Sequence, residues 1–324
     1  MSILFLFLDG VGLGENDVNK NPFSSAHTPT LDRLLSGKKL LSDSVPHQSS
    51  ICSLLGIDAQ MGVAGLPQSA TSQATLVTGI NFAKRLGYHY GPKPNPEISS
   101  YFTATEPSQT QISIFNPTAK LSNTSIFSRL IQSHYKVSLL NAYPDIYFNG
   151  INSNRHIHSV IPLAANSAGV TLFNQDDLFL GKALSADFTG QGWHDHLDLP
   201  QTPILNPFQA GEKLSSLSRV YDFSFFEFWE SDYIGHKQDF PKACHMIEIF
   251  DLVLDGLLNN WDFENDVILI TSDHGNLEDL STRKHTINQV PALLIGNPTY
   301  QQLFFQKVKS IGDITPVIID LFSG

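Results

Sequence analysis

The sequence predicts an α/β fold, a three-layer sandwich in which a mostly parallel sheet lies between two sets of helices. Two observations carry that expectation. Apolar runs of strand length alternate with segments of helical periodicity, and this alternation builds a parallel or mixed sheet covered on both faces. Two of the runs, Ile3–Leu8 and the one closing at Ile270-Thr271, also break off abruptly at acidic residues. Open α/β sheets place their ligands at such strand ends.

The elements follow in order. Ile3–Leu8 reads as a buried first strand, stopped by Asp9. A short helix over Thr30–Leu35 follows the turn signal His27-Thr28-Pro29, and Thr71–Thr78 reads as a helix ending at Gly79. Thr110–Phe115 is expected as a strand. Ser125–His134 carries apolar residues at Ile126, Phe127, Leu130 and Ile131, the spacing of a helix face, and Lys136–Leu140 follows as a strand. Tyr221–Phe228, Asp266–Thr271 and Val290–Ile295 read as strands, Lys242–Leu258 as a helix, and Ile314–Leu321 as a closing helix. The stretch from Pro144 to Pro207 is polar with poorer periodicity. The expectation is one domain, 1–324, with 144–207 as an insert or cap within it.

Composition narrows the function classes. The chain has 324 residues, 41% hydrophobic and 16% charged, which suits one large domain or a core with an insert. Its formal net charge of -11 and lack of a Lys/Arg cluster argue against nucleic acid as a partner. The first apolar run is too short to span a membrane and no positive segment precedes it, so neither a membrane partner nor a signal peptide is expected. Cys52 and Cys244 are too few for a disulfide framework, and a cytoplasmic location is expected.

Four segments carry chemistry. Asp9 ends a buried strand, where a carboxylate is costly unless something positive meets it. The glycines that follow do not form a dinucleotide fingerprint, because Gly14 falls one place early. Gln68–Gly79 opens a helix with small hydroxyl residues, an anion site in which Ser69, Thr71 and Ser72 are all candidate nucleophiles. Asp232 and His236 are spaced to reach one ion across a turn. Asp273 and His274 end a strand together, and His285 lies eleven residues beyond His274. Two carboxylate–imidazole pairs, a further Asp, a further His and a hydroxyl make a two-metal site able to support in-line phosphoryl displacement. Mixed Asp/His donors suit zinc and manganese alike. The loop pairs His156/His158 and His194/His196 are left outside the site, and Arg85, Arg155 and Arg283 compete as phosphate-binding cations.

These segments resemble the alkaline phosphatase superfamily, and most of all the metalloenzyme domain of cofactor-independent phosphoglycerate mutases. Leu8-Asp9-Gly10 with Asn21-Pro22 and Ala26-His27-Thr28-Pro29-Thr30-Leu31-Asp32 is similar to that family's opening segment. Thr271–Glu278 and His285–Pro291 resemble its closing segments. The resemblance implies an alkaline-phosphatase-like core. It also selects Ser69 as nucleophile, ten positions before the glycine of Thr78-Gly79. It implies one metal on Asp9, Ser69, Asp273 and His274, and another on Asp232, His236 and His285.

The departures bear on substrate. The mutase's Gly-His after the serine is missing, and its second, phosphoglycerate-holding domain does not fit in this length. A sulfatase wants Pro and then Arg after its nucleophile, and the chain offers Ser69-Ala-Thr-Ser-Gln. The expected function is a two-metal phosphatase or phosphodiesterase acting on a small phosphorylated substrate through phosphoserine. A phosphomutase is the first alternative, and a catalytically silent metal-binding protein the second.

Overall fold

The computed structural model describes residues 1–104 and 124–323, so the strand expected at Thr110–Phe115 lies outside the described residues. Its seven strands are β1 (Ile3–Leu8), β2 (His47–Gln48), β3 (Cys52–Ile57), β4 (Val137–Leu139), β5 (Phe223–Phe228), β6 (Val267–Thr271) and β7 (Val290–Ile295). They form one sheet in the order β2-β3-β7-β6-β1-β5-β4. The half from β6 through β1 and β5 to β4 is parallel, whereas β7, β3 and β2 pair antiparallel.

Helices cover both faces, which is why β1, β5, β6 and β7 are buried from end to end. Alternate residues of β1 feed two separate cores. Ile3, Phe5 and Phe7 pack with the helices Ser69–Thr78, Ile126–Gln132, Val160–Ser167 and Ile314–Ser323. Leu4, Leu6 and Leu8 pack with Pro29–Leu34, Pro207–Ser218 and Phe240–Asn259. The three-layer expectation is met.

The differences from the sequence reading are local. β3 was not expected; its apolar run is short, follows a serine cluster and contains Gly56. The helix Pro207–Ser218 was also missed, although Asn206 and Gln209 form a capping box around Pro207, a signal present in the sequence. The 144–207 stretch, expected to be loop-rich, holds four short helices. One of them, Val160–Ser167, packs Val160, Ile161, Ala164 and Ala165 into the first core. Its Pro162 and Asn166 had obscured the periodicity. No described helix is long and apolar enough to cross a membrane.

Candidate metal centre

The parallel half of the sheet sets the site. Phe7 and Thr271 are register partners on adjacent parallel strands, so Asp9 and Asp273, two residues further along each, emerge side by side. The chain must turn at once after Asp9. Gly10 does so at φ +67, a conformation that strains any residue with a Cβ, and its N–H donates to Asp273 Oδ1 at 3.3 Å. Val11 N–H donates to Ser272 Oγ at 2.8 Å, locking the two strand ends together.

Four predicted residues meet at this point. His274 Nε2 lies 3.0 Å from Ser69 Oγ, 3.4 Å from Asp9 Oδ1 and 3.5 Å from Asp273 Oδ2. Ser69 is the first residue of the ten-residue helix Ser69–Thr78. Thr71 and Ser72, the other candidate hydroxyls, turn elsewhere: Thr71 Oγ1 donates to backbone carbonyls, and Ser72 Oγ is buried without a hydrogen-bond partner. Besides the hydrogen-bonded Ser69 hydroxyl, two carboxylate oxygens crowd the same nitrogen, an arrangement of donors that could share a cation.

The second group is half-buried. Asp232 and His236 lie one turn apart on the helix Glu230–Lys237; Glu230 and Asp232 suit its first turn. His236 Nε2 is 3.3 Å from Asp232 Oδ2, and His285 Nε2 is 3.8 Å from Asp232 Oδ1. Backbone carbonyls fix both tautomers. His236 Nδ1–H donates to Arg283 O at 2.8 Å, and His285 Nδ1–H donates to Pro67 O at 2.7 Å. A carbonyl only accepts, so each ring, when neutral, presents a lone pair at Nε2, and the two nitrogens lie 3.3 Å apart. Without a cation a proton on His236 Nε2 meets Asp232; with one, both nitrogens and the carboxylate can serve as ligands.

The groups are contiguous. His274 and His285 stack with ring centroids 3.8 Å apart, and Asp232 lies within ligand distance of Asp9 and His274 as well as of its own pair. Asp232 therefore belongs to both candidate ligand groups.

Electrostatics favour added positive charge. Burial, reinforced by Asp273 and Asp232, pushes Asp9 well above the ordinary carboxylate range. Burial and the Asp232 charge push Asp273 up to about 7. Burial likewise raises Asp232, but the hydrogen bond from His236 and the charges of His274 and His236 hold it below its ordinary value. His236 is raised by that same bond. Burial, with the charge of His274, lowers His285 to about 4. Among the described residues, Asp9 Oδ1 and His274 Nδ1 meet no hydrogen-bond partner. The donor set fits divalent cations.

Several supporting residues were not anticipated. Gln73, one turn after Ser69, donates to Asp9 Oδ2 at 3.4 Å and Asp273 Oδ2 at 3.2 Å. Asn276 Nδ2 donates to Asp232 Oδ1 at 2.7 Å. Glu278 ties three segments together. Its carboxylate accepts from Gly12 N at 2.9 Å, Asn276 N at 2.8 Å, Asn288 Nδ2 at 3.0 Å, and the Thr286 hydroxyl. All three lie inside motifs already noticed, so motif membership was the available signal. Glu227, buried on β5, and Lys284, on the rim, had no such flag.

A cleft of about 260 Å³ opens over Ser69, bordered by Gln68, Pro92, Asp232, His236, Lys284 and His285. Two of the three arginines proposed for phosphate are engaged elsewhere, Arg85 with Glu97 at 2.9 Å and Arg283 with Gln238 at 3.0 Å. Arg155 is exposed on the surface. Of the loop histidines, His158 bonds Tyr147 at 2.6 Å and His194 pairs with Asp195 at 3.0 Å, while His156 and His196 are exposed.

Residues 210–323 match the family model described as the Metalloenzyme superfamily. The matched part includes β5, β6 and β7 and five of the seven candidate site residues. The 2,3-bisphosphoglycerate-independent phosphoglycerate mutase of Antithamnion sp. is 31% identical over 134 residues, 39% of this chain and 26% of the relative. The mutase of the same description from Pyrococcus abyssi is 27% identical over 129 residues, 36% and 31% of the two chains. The chain thus spans about a quarter to a third of the length of these relatives. Its fold is shared with the PH0037 protein of Pyrococcus horikoshii, at TM-score 0.59 and 15% identity over 99% of this chain and 96% of that one. It is shared too with Leishmania mexicana phosphoglycerate mutase, at TM-score 0.56 and 10% identity over 99% and 95%. The metalloenzyme resemblance read from the closing motifs stands on these findings.

Proposed function

We propose that this metalloenzyme-type chain is a two-cation phosphatase or phosphodiesterase that works through a phosphoserine at Ser69. The observation that carries the reading is the convergence of Ser69 Oγ, Asp9 and Asp273 on His274 Nε2. A Ser–His base dyad without metal leaves the two carboxylates beside His274 Nε2 without a role.

Asp9, Ser69, Asp273 and His274 would hold one cation, and Asp232, His236 and His285 the other, zinc or manganese in either place. Bound divalent cations supply Lewis acidity, which lowers the proton affinity of a serine hydroxyl and neutralises phosphoryl oxygens. The residues do the rest. Gln73 holds Asp9 and Asp273 in place, and Asn276 holds Asp232. The N-terminus of the Ser69–Thr78 helix favours an anion at Ser69. Ser69 Oγ attacks phosphorus opposite the leaving oxygen; the new P–O bond forms as the ester bond breaks, and the departing alkoxide takes a proton. Water then attacks phosphorus, the serine–phosphorus bond breaks, and Ser69 regains its proton.

The cleft suits a small phosphorylated substrate. Cys52 and Cys244 are both free thiols, which supports a reducing, cytoplasmic setting. The mutase relatives favour a second reading, in which the phosphoserine returns its phosphate to another hydroxyl of the bound substrate. The test is a paired assay of wild type and Ser69→Ala, each loaded with zinc or manganese. A phosphomonoester, a phosphodiester and 3-phosphoglycerate are followed for free phosphate and for isomerised product. Phosphate release that disappears in Ser69→Ala is expected; isomerisation without release establishes the mutase instead. Activity unchanged in Ser69→Ala refutes the nucleophile.

A further inference from the structure

We propose that Lys284 binds the phosphoryl group presented to Ser69 and makes the cleft selective for phosphomonoesters over the less charged phosphodiesters. The proposal rests on the phosphoryl-transfer reading and narrows its substrate class.

Among the described residues, Lys284 is the only lysine or arginine that borders the cleft over Ser69. Its backbone is pinned on both sides to candidate ligands. Arg283 O, one residue before it, accepts His236 Nδ1–H at 2.8 Å, and His285, one residue after it, donates from Nδ1 to Pro67 O at 2.7 Å. Thr286 N–H then donates to Gly275 O at 2.9 Å, fastening the same loop to the turn that follows Asp273 and His274. Lys284 N–H closes a local turn on Thr282 Oγ1 at 3.1 Å. The backbone is thus held at the lip of the cleft, while the side chain is exposed and keeps the freedom of a long stem.

The charge of Lys284 is unmatched. It forms no ion pair among the described residues. Asp232 borders the same cleft, but Asn276 donates to its Oδ1 at 2.7 Å, and His236 Nε2 lies 3.3 Å from its Oδ2. The neighbouring Arg283 is engaged by Gln238 at 3.0 Å. A cation beside a nucleophile, next to an acid that is already satisfied, is matched by a bound anion. The other groups at Ser69 prepare for the same ligand. The helix Ser69–Thr78 opens without a side-chain cap, and at Gly91 a Cβ would stand 3.1 Å from Ser69 N, so glycine keeps bulk off the helix start. Those N–H groups bear only partial charge, whereas the ammonium adds a full one. A monoester presents its whole set of non-bridging oxygens and about two negative charges. In a diester a second ester group replaces one of these oxygens and removes charge, so the same ammonium gains less from it.

The test is calorimetric titration of inorganic phosphate and of dimethyl phosphate into metal-loaded wild type, Lys284→Gln, Lys284→Arg and Lys93→Gln, with metal content measured on each. Turnover of 4-nitrophenyl phosphate and of bis(4-nitrophenyl) phosphate is followed alongside, with Ser69→Ala as the reference. Lys284→Gln is expected to weaken inorganic phosphate binding about 10- to 30-fold at unchanged metal content, the scale of a charge-assisted contact, and to lower monoester kcat/KM by a similar factor. Dimethyl phosphate binding and diester turnover should fall about threefold or less, the scale of a weak, solvent-screened pairing. Lys284→Arg should restore most of the phosphate affinity, and Lys93→Gln, outside the cleft lining, should stay within about twofold of wild type. An equal loss for phosphate and dimethyl phosphate, a larger loss in Lys93→Gln, a metal equivalent lost in Lys284→Gln, or a wild type that binds no phosphate overturns the proposal. Phosphate binding weakened in Lys284→Gln, in a protein that turns over no ester, leaves this inference standing and removes the functional reading. Ser69-dependent hydrolysis with phosphate affinity and monoester preference intact in Lys284→Gln does the reverse.

Discussion

The two halves of the metal centre are built from different materials. Asp9, Asp273 and His274 stand on strand ends, buried under helices, with His274 and Asp273 fully inaccessible. Asp232 and His236 ride a short helix at the surface and meet His285 from a loop. The buried half concentrates carboxylates where burial works against their charge, so Asp9 and Asp273 are raised. The open half has settled its charge internally, with Asp232 lowered and His236 raised as partners. The buried half suits added positive charge, and in the open half a cation would compete with the proton on His236.

Substitutions at the two halves should therefore differ in kind. Asp273→Asn removes a carboxylate that both orients Gly10 and faces His274. Loss of one metal equivalent and at least about a thousandfold loss of turnover are expected, on the scale of an essential electrostatic group. His236→Ala removes a ligand at the solvent edge, and its activity should return in part when metal is raised well above the wild-type requirement. If excess metal rescues Asp273→Asn equally, the two halves are not distinct. Asn276→Ala leaves all ligands in place and frees Asp232 Oδ1. A weakening of metal affinity of about 10- to 100-fold is expected, read by competition with a chelating dye.

Glu278 sharpens the comparison from the stability side, because it anchors both halves. Glu278→Gln keeps its shape but replaces one accepting oxygen with a donor facing N–H groups. A loss of about 2–4 kcal/mol in denaturant unfolding is expected, with both metal affinities falling together.

The smallest effect is a pH dependence of the metal-free protein. Asp273 and Glu227 have ordinary values of 3.8 and 4.5 but hold their protons to about 7 when folded. Each of these carboxyls holds more proton folded than unfolded between those values, so its contribution is full below the ordinary value and is lost as pH rises through about 7; His285, lowered to about 4, and His274, also lowered, work the other way up to about 6.5, so the net fall is steepest near pH 7. The slope is at most about 1.4 kcal/mol per pH unit for each proton held. Asp232, lowered on folding, acts in the opposite sense and below pH 4. Thermal unfolding of the metal-free protein should thus move to lower temperature between pH 5 and about 7.5, and added metal should reverse the trend. A metal-free protein that gains stability over this range contradicts the crowded-carboxylate account.

Much of this was legible in the chain. Asp9, Asp232, His236, Asp273, His274 and His285 stand out because acidic and imidazole groups break off apolar runs or share short motifs, and strand-end chemistry is local. Ser69 was one of three hydroxyls on residue chemistry alone, and the structure separates it by turning Thr71 and Ser72 away. Glu227 was illegible for a physical reason: it lies inside an apolar strand, and only the register with Phe7 sets it on the face of the Ser69 helix. The helix Val160–Ser167 was hidden because a proline in its first turn and polar residues at its end disturb a pattern that only the tertiary contact makes apolar.

The most direct test of the central claim is metal stoichiometry by elemental mass spectrometry on wild type, Asp273→Asn and His236→Ala, each equilibrated with zinc or manganese and freed of excess. Two equivalents in wild type, and about one in each variant, is the result this account requires. One equivalent or none in wild type, or two retained in Asp273→Asn, contradicts it.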